Sequence, residues 1–436
     1  MSKKTSKLGP ISVWALAAGG MVGGGIYTVL GVVLAISAQW TWLAFLFTGL
    51  LAITSAYSYV FLANKFNEGG GAFAFLEEVG DETIAGSLSW LLIIGYVLTI
   101  SVYAYAFGHY VSFAFHGGPL IIRLLAAGIV TVLILLNLAG VGKLTKVEIT
   151  IVSVNLLVLL ALGVYGLTQW DSTQLIAGVE PRPLWSGFLG GAVIFMAYEG
   201  FQLLSYEYDR IKNVQKTFMP VLLSAVIFVV ILYIIVSLGA TMLGGAASLI
   251  SFKEIALSVA AQKALGSTGV IIMTVAAGFA TAAAINSTLF STANLSKNIA
   301  KKNELPAWFD HTNSNNVPDR SIILLGSLAG ILAILGSLSS LVEAASLVFL
   351  CTFGIVNWLA YRESEKRKWL PAVGIGIAII NAVGLMFRLV ISKPVALGAL
   401  VMVVLLIVLG RPFLLNTSKG ADNGTSANDQ NRNHKK

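Results

Sequence analysis

The sequence predicts an all-α fold, a polytopic membrane protein of twelve transmembrane helices, and three observations predict it. The chain is 57% hydrophobic and only 11% charged, where a soluble domain carries roughly 25% charged residues. Apolar stretches of helix length recur from Ser12 to Leu409 and leave no room for a large soluble domain. Lys and Arg fall on alternate connections rather than in one basic patch. Roughly 20 apolar residues cross the ~30 Å hydrocarbon core as a helix. The spans so defined run 12–37, 40–63, 84–115, 121–141, 147–168, 185–208, 218–243, 266–299, 321–339, 341–361, 369–390 and 394–410. With the first residue on the inner side, eighteen of the 28 Lys and Arg lie on inner connections and six on outer ones, the other four being in the tail. That bias follows the positive-inside rule, with both termini cytoplasmic in a multi-pass protein of the cell membrane. The net charge of +8 is therefore a topology signal, and no nucleic-acid partner is expected.

Residues 1–11 form a short basic lead. The first span is too long and too glycine-interrupted for a signal-peptide core, so it is expected to be retained. It carries Gly19, Gly20, Gly23, Gly24 and Gly25 within seven residues. Each glycine costs about 1 kcal/mol relative to alanine in a helix interior, so the helix is weak there. Bare backbone groups in a bilayer are tolerated only where they are buried in protein or line a cavity. A break near mid-membrane then suggests a site for a polar solute. Close helix packing through small residues is the competing reading.

The connection after the second span carries Glu77, Glu78, Asp81 and Glu82, read as a solvated surface. The third span is long and holds Tyr96, Tyr103 and His109, the histidine read as a hydrogen-bonded interface residue. The sixth span repeats the theme of the first. Gly187, Gly190 and Gly191 precede Phe195-Met196-Ala197-Tyr198-Glu199-Gly200-Phe201. A charged side chain at mid-bilayer costs at least ~2.5 kcal/mol, so Glu199 is a functional candidate unless it is protonated and packed or lies near an interface. Glu343 opens the tenth span, where an acid suits the helix dipole. Arg388, near the end of the eleventh, is placed to snorkel. Cys351 is the only cysteine, which excludes an intramolecular disulfide. Residues 417–436 are polar and expected to be disordered. His, Cys and Asp are too scattered for a metal centre, and no nucleophile–base set stands out, so neither an enzyme nor a cofactor is expected.

Breaks in spans one and six divide the chain into two five-helix halves, 12–168 and 185–362, with 369–410 outside them. One half starts inside and the other outside, which makes them inverted repeats with both breaks facing a midplane site.

Four motifs in order give the chain a family resemblance. Gly23-Gly24-Gly25-Ile26-Tyr27 resembles a first-helix G-(S/A/G)-(G/S)-I-F motif, with tyrosine for phenylalanine. Asn67-Glu68-Gly69-Gly70-Gly71-Ala72-Phe73 resembles a P-x-G-G-x-x-(Y/F) loop lacking its proline. Phe195 through Phe201 is similar to an F-x-A-Y-x-G-F break, and Asn286 through Pro306 to the end of an eighth helix. The chain thus resembles the amino acid–polyamine–organocation superfamily, and most closely its prokaryotic amino-acid permeases. The resemblance implies a five-plus-five inverted repeat and a small-molecule substrate, an amino acid or amine, moved across the lipid bilayer.

The site it implies is built from both breaks. Unwinding frees the N–H groups around Gly23, Gly24, Gly25 and Ile26 for a substrate carboxylate at the positive end of a half-helix. Carbonyls around Phe195, Ala197 and Tyr198 would accept from the substrate ammonium. The substrate side chain would project past Phe195, Met196, Tyr96 and Tyr103, although any one of these aromatics also reads as core packing. Some relatives that use protons or work without sodium carry a lysine midway along helix five, and here that position is Asn155. Sodium-site hydroxyls of relatives fall near Ala282 and Ala283, leaving Thr281 and Ser287 close by. Glu199, Asn155 and Thr281 are the coupling candidates, with Glu199 the one that titrates and protons the expected coupling partner. Three functions remain open: a proton-linked amino-acid importer, an exchanger of an amino acid or amine, and a transporter-like sensor or passive channel.

Overall fold

A computed structural model describes residues 7–80, 82–140 and 145–394, with scattered positions as far as 405. The regular elements described are helices, joined by one isolated β-bridge between Leu8 and Ile211. The first crossing is α1 (Pro10–Val22) followed by α2 (Gly25–Ser37), and α3 (Thr41–Phe66) returns. A short α4 (Gly71–Glu78) precedes α5 (Glu82–Ala114), α6 (Pro119–Leu138) and α7 (Thr145–Thr168). The sixth crossing is α8 (Trp185–Ile194) continued by two 3-10 segments, Phe195–Tyr198 and Phe201–Arg210. Then come α9 (Val214–Gly244), a short α10 (Ala246–Ser251), α11 (Ala256–Lys301), α12 (Asp319–Leu335), α13 (Leu338–Glu363) and α14 (Trp369–Ser392). Helices thus stand at eleven of the twelve expected positions. The last span, 394–410, lies mostly outside the described residues, and the tail 417–436 wholly so.

Local chemistry sets the ends. Pro10 and Pro119 occupy the first turns of α1 and α6, where a missing N–H costs nothing. Asn67 takes a left-handed conformation (φ 51°) and stops α3. Gly266 (φ 61°, ψ −141°) kinks α11 where the eighth span was expected to begin, because the apolar run resumes on the far side of that glycine.

Burial separates centre from periphery. The apolar window of Pro10–Phe66 is 94% buried and that of Trp185–Arg210 is 83% buried, against 17% for Pro119–Leu138. The two interrupted crossings therefore form the centre. The first crossing packs on α7, α9, α8 and the sixth crossing's 3-10 segments, while α3 lies along α9, α5 along α11 and α6 along α12.

Three expectations are corrected. Glu343 lies beyond the first turn of α13 and caps nothing. It is buried, with Arg388 Nε 3.2 Å from Oε1 and Lys393 Nζ 3.1 Å from Oε2. Arg388 accordingly turns inward from α14 instead of snorkelling. The acidic connection is also more than a solvated surface, since Glu77 pairs with Lys302 at the end of α11 (3.0 Å).

Candidate functional site: two interrupted helices in contact

Both crossings break, and the breaks touch. In the first, Gly23 N–H still donates to Gly19 O (2.8 Å), and the departure is confined to Gly24 (φ −134°, ψ −16°). The unwinding is thus narrower than the glycine run suggested. Thr28 Oγ1 sits 2.9 Å from Gly24 O and 2.8 Å from Gly25 O, so these carbonyls have a local donor. No side chain caps the N-terminus of α2, which leaves its positive end facing the interior.

The sixth crossing breaks more deeply. Glu199 is extended (φ −65°, ψ 149°) and Gly200 has φ 123°, a conformation L side chains rarely adopt. A Cβ placed on Gly20 would lie 2.9 Å from Gly200 O, and one on Gly25 would lie 2.6 Å from Ala197 O. Glycine is required at both contacts because backbone meets backbone.

Tyr233, projecting from α9, fills the join. Its hydroxyl lies 2.8 Å from Met21 O and 3.0 Å from Ala197 O, one carbonyl from each broken crossing. The Ala197 carbonyl expected to receive a substrate ammonium is therefore occupied in this conformation. Tyr198 turns its hydroxyl to Phe45 O (2.9 Å), and Phe195 packs edge-on against Phe353 (5.1 Å). The Met196 amide donates to Ser346 Oγ (3.1 Å), which in turn donates to Val193 O (2.6 Å). The backbone around Phe195 and Met196 is thus committed to α13.

Tyr103 covers the other side. Its ring lies directly over Gly24, and its buried hydroxyl has no hydrogen-bond partner among the described residues. Glu199 and Tyr233 are its electrostatic neighbours. Tyr96 packs on Phe349 (5.5 Å), and its hydroxyl is 3.3 Å from Tyr206 Oη. Gln202 Nε2 donates to Glu199 Oε1 (3.0 Å).

The remaining coupling candidates separate. Asn155 accepts from Tyr27 Oη (3.0 Å) and lines a cleft between α1, α7 and α11, together with Gly20, Gly23, Ala284 and Ser287. Thr281 returns its hydroxyl to Ala277 O in its own helix (2.6 Å) and is not part of that lining. An adjoining cleft shares Gly20, Glu148 and Ser287 and continues past Leu203 and Glu207 to Arg210 and Leu8. At the opposite end, the Lys253 backbone lies against Gly31 of α2 so closely that a Cβ there would overlap it.

Sequence reasoning missed Tyr233, Gln202 and Ser346. Each had a weak signal, as a polar group inside an apolar span. Their partners lie far along the chain, and only packing reveals them.

A profile of the family described as amino acid permease matches residues 8–415. The inner membrane transport protein YbaT of Escherichia coli (strain K12) is 28% identical over 391 residues, covering 87% of this chain and 90% of its own. The vacuolar cationic amino acid transporter 4 of Arabidopsis thaliana is 26% identical, with 80% of this chain and 62% of that one covered. The crystal structure of MhsT in complex with L-phenylalanine superposes with a TM-score of 0.61 at 15% identity, covering 87% of this chain and 97% of that one. That last likeness is one of fold.

Proposed function

The chain belongs to the amino acid permease family, a family of membrane transporters and not enzymes, and we propose that it moves amino acids by alternating access around the joined breaks. The observation that carries this reading is the Tyr103 hydroxyl. A buried hydroxyl without a partner costs ~1–3 kcal/mol. Here the ring that carries it lies over Gly24 at the uncapped end of α2, and that end meets the break of the sixth crossing where Gly25 faces Ala197 O. A zwitterion would satisfy all three. Its carboxylate would take the N–H groups of Gly24, Gly25 and Ile26. Its ammonium would take the Ala197 and Met21 carbonyls once Tyr233 withdraws.

Several features support a five-plus-five inverted repeat. Crossings one and six, two and seven, three and eight, and four and nine are each in contact. Contacts of crossing five with one, seven and eight are matched by contacts of ten with six, two and three. Such a pattern is what exchanging the two halves would leave unchanged.

The end bearing Lys7, Arg210 and Lys212 is the cytoplasmic one in this reading. The clefts reach that end, so the conformation is inward-facing. Glu199 carries the coupling, as a buried carboxyl beside the site. Accumulation driven by a proton gradient in proteoliposomes should fall in Glu199→Gln, and unchanged accumulation removes Glu199 from the scheme. Exchange is the second reading. Asn155, committed to Tyr27 and unable to titrate, favours it. Counterflow separates the two, because an exchanger moves label only with substrate on both sides.

A further inference from the structure

We propose that Gln202 is the positioning residue of Glu199: its amide fixes which carboxylate oxygen faces the interior and ties that choice to α5 through Tyr96. The inference rests on the reading of Glu199 as the coupling group.

The argument begins at the backbone. Glu199 and Gly200 leave helical conformation, so the Gly200 amide loses its helical acceptor. Gln202 Oε1 supplies one at 2.8 Å. The two ends of a glutamine amide are ordinarily hard to tell apart. Here a backbone N–H can only donate, so the end facing Gly200 must be the oxygen. The Nε2 group must then face the other way. It donates to Glu199 Oε1 at 3.0 Å and to Tyr96 Oη at 3.3 Å. Both of its hydrogens and its oxygen are engaged.

The consequence falls on Glu199. A fixed N–H donor occupies Oε1, and a carbonyl or ionised oxygen accepts it better than a hydroxyl oxygen does, which favours the proton on the other oxygen. Oε2 accepts no hydrogen bond from any described residue. The proton is therefore held at Oε2, and so is any cationic group that meets this carboxylate. Because the same amide also binds Tyr96 on α5, a change at Glu199 is felt where the sixth crossing meets the third. Sequence spacing alone would make Gln202 another polar residue three positions beyond Glu199.

The test is a double-mutant cycle in proteoliposomes. The probe is uptake of a pool of the twenty common 14C-labelled amino acids plus 14C-putrescine, read across pH. Gln202→Met removes the whole amide. Gln202→Glu keeps the acceptor for Gly200 N–H and, when ionised, loses the donors and sets a second carboxylate beside Glu199, so the break is still capped if Gln202→Met does not fold and the pH profile is read from Gln202→Met where it does. With Glu199 intact, each variant is expected to lower uptake at least ~10-fold, the scale of losing a hydrogen bond to a charged group, and to displace the pH profile. In a Glu199→Gln background, neither should cost more than about a further twofold. A full, equal loss in both backgrounds with an unchanged pH profile overturns the inference and leaves the coupling reading intact. Glu199→Gln that transports like the unaltered chain, or an unaltered chain that takes up no member of the pool, removes the coupling reading and this inference with it.

Discussion

Tyr103 and Tyr233 make opposite predictions because their hydroxyls have opposite circumstances. The Tyr103 hydroxyl has no partner to lose. Tyr103→Phe should leave the melting temperature of ligand-free protein unchanged or slightly raised, while the stabilisation given by a bound amino acid shrinks. A thermal-shift series over amino acids and amines measures both. An undiminished ligand shift would show that the hydroxyl does not meet the substrate. Tyr233→Phe strips the shared donor from Met21 O and Ala197 O. It should lower stability by about 1–3 kcal/mol, the cost of leaving buried acceptors unpaired. The same melting curves check it, and equal stability would mean water or a neighbour replaces the hydroxyl. At this scale the sequence was half legible. Gly24, Gly25 and Gly200 announced themselves, since glycine inside a span is costly. Tyr233 did not, because its partners are 212 and 36 residues away and no periodicity encodes them.

The elements differ in how they are held. α13 and α14 are joined by Glu343, buried between Arg388 and Lys393. Removing one member of a buried ionic group leaves uncompensated charge and typically costs ~3–5 kcal/mol. Glu343→Gln should therefore show a large loss of stability and faster proteolysis near the end of α14, and a loss under about 1 kcal/mol would mean that the cations escape to water. The connection from α3 to α4 responds to pH. Burial, then Glu78 and Asp209, push the Glu68 carboxyl above its ordinary range, with Lys302 opposing. A carboxyl raised in the folded state contributes stability that is present below its unfolded value, about 4.3, and lost as pH rises through the folded one. The connection should be firmer in mild acid than at neutral pH. Hydrogen exchange, corrected for its intrinsic pH dependence, measures this, and Glu68→Gln should abolish the difference. Helix positions were legible almost throughout, since apolar length is counted directly in sequence. The Gly266 kink and the inward turn of Arg388 were not, because each depends on what lies alongside.

For the whole molecule the decisive asymmetry is between its two ends. Clefts run from Asn155 and Gly23 past Ser287 to Arg210 and Leu8, while Lys253 presses on α2 at the other end. The positive-inside count gives the orientation proposed for this asymmetry, whereas no residue pattern foretold which end would be open. That is a property of one conformation, and a sequence must encode all of them. Near Arg210 the first and sixth crossings are also bound to each other. Leu8 N–H donates to Arg210 O (2.7 Å) and Lys212 N–H to Leu8 O (2.9 Å). α1 and the Phe201–Arg210 segment are thus clipped at their far ends and touch at Gly20 and Gly200, so closing the cleft should move them as one arm against α7 and α11. Ser287→Cys, in a Cys351→Ala background, places a thiol on the unmoving wall. An impermeant maleimide should modify it in inside-out vesicles and not in right-side-out ones. A transported amino acid, by shifting the population toward the closed or outward form, should slow that modification in proportion to its differential affinity for the two states. Labelling from the outer side alone would reverse the orientation, and labelling indifferent to every amino acid would separate this cleft from the transport route.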